Sequence, residues 1–184
     1  DYFLVDLQNN VPDDPAGFRS RLMFYSDTSM WAHAVSSQIA AILRPALTGK
    51  MIVILGSSRI VPPTVHMLLA LGATVAVEHS SVFNTVITHE RLIAGGVTDL
   101  LSTTDCLIGL SPRCPVVMPE NVSALPAEAL VFDGGIGSLH PDALVICRKR
   151  GLRAVRIDLR PALAAQAIER INMLRVVHEH MGKT

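Results

Sequence analysis

A doubly wound α/β fold, a mostly parallel sheet with helices on both faces, is predicted by three features of this sequence. Runs of β-formers alternate with helix-length amphipathic stretches, and Gly49, Gly56 and Gly72 punctuate the junctions between them. With 184 residues, 49% of them apolar and 17% charged, the chain can also bury one sizeable core. Strands alternating with helices imply parallel pairing through right-handed crossovers.

Each element follows from local chemistry. Tyr2 to Leu7 alternates and is rich in β-formers, and the cluster "NNVPDDPAG" from Asn9 to Gly17 marks a loop. A second short strand is expected at Arg21 to Tyr25. Ser26 or Thr28 can cap a helix running to about Leu47, in which Trp31, Val35, Ile39, Ile42 and Leu43 share one face. Pro45, Thr48 and Gly49 stop it before the strand Met51 to Leu55. Helix Pro62 to Leu71 follows, ended by Gly72, then strand Thr74 to Glu78 and a helix expected from Val82 to Ala94. Beyond "GGVTDLLSTTD" come strand Cys106 to Leu110, the proline-rich loop "SPRCPVVMP", a helical turn near Pro126 to Ala129 and strand Leu130 to Asp133. Helix Pro141 to Arg150, strand Ala154 to Leu159 and a helix from Pro161 to about His180 close the chain. Residues 1–27 read as the edge or remnant of a neighbouring domain, and residues 28–184 as the doubly wound domain.

Composition removes several classes of function. Sixteen basic residues balance sixteen acidic ones, and no like-charge run exceeds "RKR" at Arg148 to Arg150, so the concentrated basic face of a nucleic-acid binder is missing. Three scattered cysteines, Cys106, Cys114 and Cys147, form neither a disulfide framework nor a metal knuckle. No apolar run reaches the roughly 18 residues of a membrane span, and no signal-peptide pattern opens the chain. A cytoplasmic protein is the expectation. Asp1 stands where an initiator Met would, directly before "YFLVDL"; the expectation is a chain cut from a longer one, or processed, and in the first case a catalytic partner domain would lie outside it.

The turn after the strand Met51 to Leu55 is the most informative segment. A dinucleotide-binding turn needs a glycine for the bend, free amides at a helix start, and an acidic residue after the next strand for the ribose hydroxyls. Gly56 supplies the bend. Ser57 and Ser58 offer hydroxyls and amides, Arg59 a charge, and Ile60 and Val61 lead into the helix; Ser58 and Val61 stand where further glycines would fall. Pro62 and Pro63 suit a first helical turn but subtract two donors. Glu78, 22 residues after Gly56, is placed to accept from a 2′-hydroxyl and to repel a 2′-phosphate, favouring NAD over NADP. A structural turn in a fold without cofactor remains the other reading of the same residues.

The segment "GKMIVILGSSRIVPPTVHMLLALGATVAVEHSS" resembles the cofactor domain of the methylenetetrahydrofolate dehydrogenase/cyclohydrolase family, whose loop has the form G-R-S-x-x-V-G-x-P and whose next strand ends near C-H-S. Gly56, Ser58, Ile60, Val61, His79 and Ser80 match, whereas Ser57 and Pro62 depart from the form. "LPAEALVFDGGIGS" is similar to the strand of that family ending in D-x-G-I, through Asp133, Gly135 and Ile136. Together the two blocks cover about half the chain. The tail from Leu139 to Glu169 resembles the end of shikimate-dehydrogenase-type and amino-acid-dehydrogenase-type domains, and "YSDTSMWAHAV" is similar to the N-T-D segment of the shikimate group. The resemblance implies a Rossmann-like NAD(P)-binding domain of an oxidoreductase acting on a small metabolite. The catalytic lysine and folate-binding residues of the first family lie in an N-terminal domain longer than the 55 residues before Gly56, so no residue here inherits those roles.

Ligands of parallel sheets sit beyond the carboxyl ends of the strands. Gly109, Leu110 and Ser111 are there, where a nicotinamide ribose would lie, and so are Gly134, Gly135 and Ile136 after Asp133. The Gly-Gly pair either admits a cofactor closely or permits a sharp turn. Asp27 either touches substrate or serves its own helix as a first-turn carboxylate. His79 either meets an adenosine edge or faces solvent. No histidine pair has metal-ligand spacing, and hydrolase or phosphotransfer motifs are missing. Two functions remain: an NAD-dependent dehydrogenase domain with substrate groups supplied largely from elsewhere, or a non-catalytic nucleotide sensor or interaction module. In the second, the long helices Met30 to Leu47 and Pro161 to His180 would make a homodimer or domain interface.

Overall fold

The computed structural model describes residues 2–6, 21–44, 46–78, 89–112 and 114–181. Along the chain, β1 (Tyr2–Asp6) and β2 (Arg21–Tyr25) precede α1 (Asp27–Ile42), β3 (Met51–Leu55), α2 (Val61–Ala70) and β4 (Thr74–Val77). Then come β5 (Leu92–Ala94), α3 (Val97–Leu100) continued by a 3₁₀ turn, β6 (Cys106–Gly109), α4 (Pro119–Ser123) and β7 (Leu130–Asp133). The last elements are α5 (Pro141–Arg150), β8 (Arg153–Arg156) and α6 (Arg160–Met181). By compactness the chain falls into two units, residues 1–34 with 158–184, and residues 35–157. In the first, β1 and β2 pair in parallel. α6 belongs to that unit, although the sequence reading groups it with the sheet.

The second unit is built on a six-stranded sheet in the order β5-β4-β3-β6-β7-β8, parallel throughout. Its central strands are buried on both faces, as parallel strands covered by crossovers must be. Val53, Leu55, Leu107 and Val131 point into a core shared with Leu101, Val122, Leu125, Ala143 and Cys147, which brings α4 and α5 onto that face. Residues of opposite parity, Ile52, Ile54, Ile108 and Phe132, are equally buried on the other face. Right-handed crossovers put α2, which leads from β3 toward the β4 edge, on that side. The buried stripe of α2, Val61, Thr64, Val65, Leu68 and Leu69, provides the matching surface.

The doubly wound expectation is met, and most strands fall within a residue or two of their expected bounds. α1 stops at Ile42 rather than near Leu47, α3 forms within an expected loop, and two further short elements differ. Leu92, Ile93 and Ala94, expected to end a helix, form β5, in register with Val75, Ala76 and Val77. Pairing along one edge with β4 makes them a strand, and Gly95 and Gly96, both at positive φ, end it. Val82 to Thr88 of the expected helix, Leu7, Pro45 and the turn cluster at Asn9 to Gly17 lie outside the described residues. The short α4 falls where no helix is expected, because prolines crowd the segment. Pro119 opens it from a position that tolerates a missing amide, and the Asn121 side chain accepts from the Met118 amide at 2.7 Å. The carbonyls at its end and just beyond it are taken by Arg150, whose guanidinium donates to Val122 O, Ser123 O and Leu125 O.

Candidate functional site

The strand order reverses between β3 and β6. From β3 the chain moves through α2 to β4 on one side, and from β6 through α4 to β7 on the other, so the connections leaving their carboxyl ends part in opposite directions, the place where sheets of this kind bind ligands. The Leu110 amide donates to Leu55 O at 2.8 Å, fastening the two strand ends together. Directly beyond, Gly56 adopts φ +114°, and a Cβ built on it would come 2.6 Å from Leu110 O. Both the conformation and the contact exclude a side chain. The glycine of the turn is thus demanded by the fold itself.

The residues just after Gly56 decide whether the turn can hold an anion. In the first turn of α2 the Val61 amide donates to Ser58 O at 3.0 Å and the Thr64 amide to Ile60 O at 3.2 Å; Pro62 and Pro63 have no amide hydrogen. The Thr64 hydroxyl also donates to Ile60 O, at 2.7 Å. No donor of the helix itself is left over. The amides of Ser57, Ser58, Arg59 and Ile60, by contrast, have no hydrogen-bond partner among the described residues. The Ser58 hydroxyl is also buried without a partner among them. Successive free amides in front of a helix make a concavity that suits a phosphate. The donors that the prolines remove from the helix are therefore available one turn earlier. Glu78 directly follows β4 and is exposed.

The loops after β6 and β7 are locked into one wall. Asp133, the last residue of β7, accepts from the Gly137 amide at 3.0 Å, the Ser138 amide at 3.1 Å, the Ser138 hydroxyl at 2.7 Å and Arg156 Nε at 3.1 Å. Burial pushes its carboxyl up, but the bonds from Gly137, Ser138 and Arg156 outweigh that and hold it below the ordinary carboxylate range. Ser138 is the hub of the wall: its hydroxyl also lies 2.8 Å from Gly109 O, and its carbonyl accepts the amides of Val116 and Val117. Val117 then bridges to Leu139 in parallel. The glycines here are filled by the chain. A Cβ on Gly109 would meet the Ser138 hydroxyl at 2.5 Å, one on Gly134 would meet Leu110 at 2.6 Å, and one on Gly135 would meet the Ser111 backbone at 2.7 Å.

Of the residues singled out from the sequence, Gly56 to Val61, Gly109 to Ser111 and Gly134 to Ile136 all gather at the carboxyl ends of β3, β6 and β7, and Glu78 at that of β4. His79 and Ser80 lie outside the described residues. Asp27 opens α1 in the other compact unit. Among the described residues no cluster of His, Cys, Asp and Glu could hold a metal, and no helix is long and apolar enough to cross a membrane. Ser138 escapes a motif-based reading, although it stands five residues beyond Asp133 in "DGGIGS", near enough to close a loop on the carboxylate.

Strand order, switch point and glycine turn together define a Rossmann-like α/β domain. Comparison with solved structures supports that class. A dipicolinate synthase chain from Bacillus halodurans superposes with a TM-score of 0.61 at 19% identity, over 90% of this chain and 60% of that one. An NADPH-dependent glyoxylate/hydroxypyruvate reductase from Sinorhizobium meliloti, solved with NADP and sulfate, gives 0.56 at 17% identity, over 78% of this chain and 57% of that one. D-2-hydroxyisocaproate dehydrogenase gives 0.55 at 11% identity, over 90% of this chain and 71% of that one. The chain thus spans about 60% of the length of the dipicolinate synthase chain. No family model and no curated protein matches the sequence. The resemblance to the methylenetetrahydrofolate dehydrogenase family gains no support from these structures, whereas the Rossmann-like fold does.

Proposed function

We propose that this chain carries the nicotinamide dinucleotide domain of a dehydrogenase-like oxidoreductase that acts on a small metabolite. The observation that carries the reading is the row of unpartnered amides from Ser57 to Ile60 at the switch point, joined by the buried Ser58 hydroxyl. These donors would hold the pyrophosphate. Glu78, at the end of β4, would accept from the adenosine ribose, with His79 and Ser80, which follow it in sequence, as further candidates, and a carboxylate there favours NAD over NADP. The bound cofactor would supply hydride chemistry, while Gly109 to Ser111 and Gly134 to Ile136 position its other half against the substrate. Acid or base groups for the substrate are assigned to a neighbouring domain or protomer, with Asp27 the candidate within this chain. The exposed apolar residues Ile168 and Ile171 of α6 fit a homo-oligomer or domain interface, in a cytoplasmic protein.

The second reading, a Rossmann-like module without catalysis, is favoured by the glycines at 56, 109, 134 and 135, each explained by packing within the chain. Titration of the purified chain with NAD, NADH, NADP and NADPH by calorimetry and thermal shift separates the two. A ligand at a hundred times its Kd should add about 2.7 kcal/mol of stability. Silence toward all four nucleotides would refute the first reading. Glu78→Arg should weaken NAD and relax selectivity toward NADP, and unchanged selectivity would refute the ribose assignment.

A further inference from the structure

Ile136 has a φ of +55° and is the one non-glycine residue in the left-handed region among the described residues. A β-branched side chain crowds the backbone there, which is why glycine and asparagine take such positions and isoleucine does not. Its neighbours leave no escape. On one side Gly135 is wedged against the Ser111 backbone; on the other, the Asp133 carboxylate binds the amides of Gly137 and Ser138. Glycine occupies positions 134, 135 and 137 of this loop, yet isoleucine holds the strained one. Core packing does not account for the choice, because the residue is 44% exposed. Strain retained at an exposed apolar side chain beyond the carboxyl ends of the strands points to a contact outside the chain.

We propose that Ile136 is held in this conformation to present an apolar platform for the nicotinamide ring, an inference that rests on the cofactor reading above. A dinucleotide lying across the switch point with its adenosine ribose at Glu78, beyond β4, extends its other half over the ends of β6 and β7. Ile136 follows β7 by three residues. A branched aliphatic side chain there covers one face of a flat ring and excludes water from it.

Two substitutions of the same position separate strain from contact. Ile136→Asn relieves the left-handed strain, whereas Ile136→Thr keeps the β-branch, and both remove the apolar surface. The folded-to-unfolded ratio of the Asn variant should exceed that of the Thr variant about fivefold or more in urea titrations. Both should bind NAD or NADH about tenfold more weakly than the wild type, the loss expected for one or two uncovered methylenes. Both should bind ADP-ribose, which lacks the nicotinamide, as the wild type does. Undiminished dinucleotide affinity, an equal loss of dinucleotide and ADP-ribose, or an Asn variant no more stable than the Thr variant each overturns the proposal. Failure of the wild type to bind any dinucleotide is a separate result: it refutes the cofactor reading and removes this inference with it.

Discussion

Removing the charge of Asp133 tests whether its carboxylate organises the candidate site. It is 4% exposed and accepts two amides, one hydroxyl and one guanidinium nitrogen. In Asp133→Asn one oxygen can still take the Ser138 donors, but an amide NH₂ then faces Arg156, and every remaining bond loses its charge assistance. Arg156 is 63% exposed and can turn to water, so its share is small, about 0–1 kcal/mol. The buried Ser138 amide and hydroxyl and the Gly137 amide dominate. Halving three charge-assisted bonds costs about 2–3 kcal/mol. Asp133→Ala strands the same donors and should cost about 3–5 kcal/mol, a large fraction of a typical domain stability of about 5–15 kcal/mol. Arg156→Ala, the control, should stay within about 1 kcal/mol of the wild type.

The assay is urea unfolding followed by circular dichroism at a series of pH values, read as a midpoint shift at constant slope. Because the folded pKa of Asp133 lies below the unfolded value near 3.9, its contribution is fully present above that value. It is lost as pH falls through the folded pKa. The Asn variant lacks this titration, so the gap between it and the wild type should be widest near neutral pH and close below about pH 4. An Asn variant within about 0.5 kcal/mol of the wild type at pH 7, or a gap that does not change with acid, would refute the reasoning.

Other perturbations address single contacts. Gly56→Ala forces a Cβ onto Leu110 O at a φ of +114°, and should cost at least about 2–3 kcal/mol in the same unfolding assay. Arg150→Ala releases the carbonyls at the end of α4 and just beyond it and should cost about 1–2 kcal/mol, with the loss of amide protection confined to α4 and the end of α5 in hydrogen exchange. His140→Ala removes the side chain whose Nδ1 accepts the Asp142 amide at the start of α5, a loss of about 1 kcal/mol measurable as a lower Tm. Burial pushes the thiols of Cys106 and Cys147 up, and Cys114 is exposed. Native protein should therefore show one fast thiol toward a disulfide reagent and two that react only on unfolding.

The strands and longer helices of the second unit were legible because their signals are local. Met51–Leu55 and Leu130–Asp133 carry the apolar character of doubly buried strands, and Pro141 and Gly151 bracket α5 with an N1 proline and a glycine cap at φ +69°. The missed pieces are those that other elements stabilise. α4 has five residues and depends on Arg150, 27 positions beyond its last residue. β5 has three residues, and only its pairing with β4 makes it a strand. Neither partner is visible in a short window of sequence. The candidate site was legible only as a position: most of the residues singled out from the sequence gather at the carboxyl ends of β3, β4, β6 and β7, but the sequence does not show the contacts that hold each one there.

That difference bears on how a degenerate glycine pattern should be read. Three glycines in the turn after the first strand of such a sheet are usually assigned to bending, ligand approach and helix packing. Here bending falls to Gly56, whose missing Cβ makes room for Leu110 O and not for a ligand. At the third position stands Val61, fully buried in the stripe of α2, so close helix packing is achieved with a side chain. Only the second function, anion approach, still needs a residue, and Ser58 can serve it with a free amide and a buried hydroxyl that has no partner among the described residues. Losing two glycines therefore does not imply losing the phosphate. Ser58→Ala should lower dinucleotide affinity while leaving stability within about 0.5 kcal/mol, since no internal bond is broken. Ser58→Val, which also crowds the turn, should abolish binding. If Ser58→Ala instead destabilised the fold and left affinity unchanged, the hydroxyl would be structural and the turn a relic of packing alone.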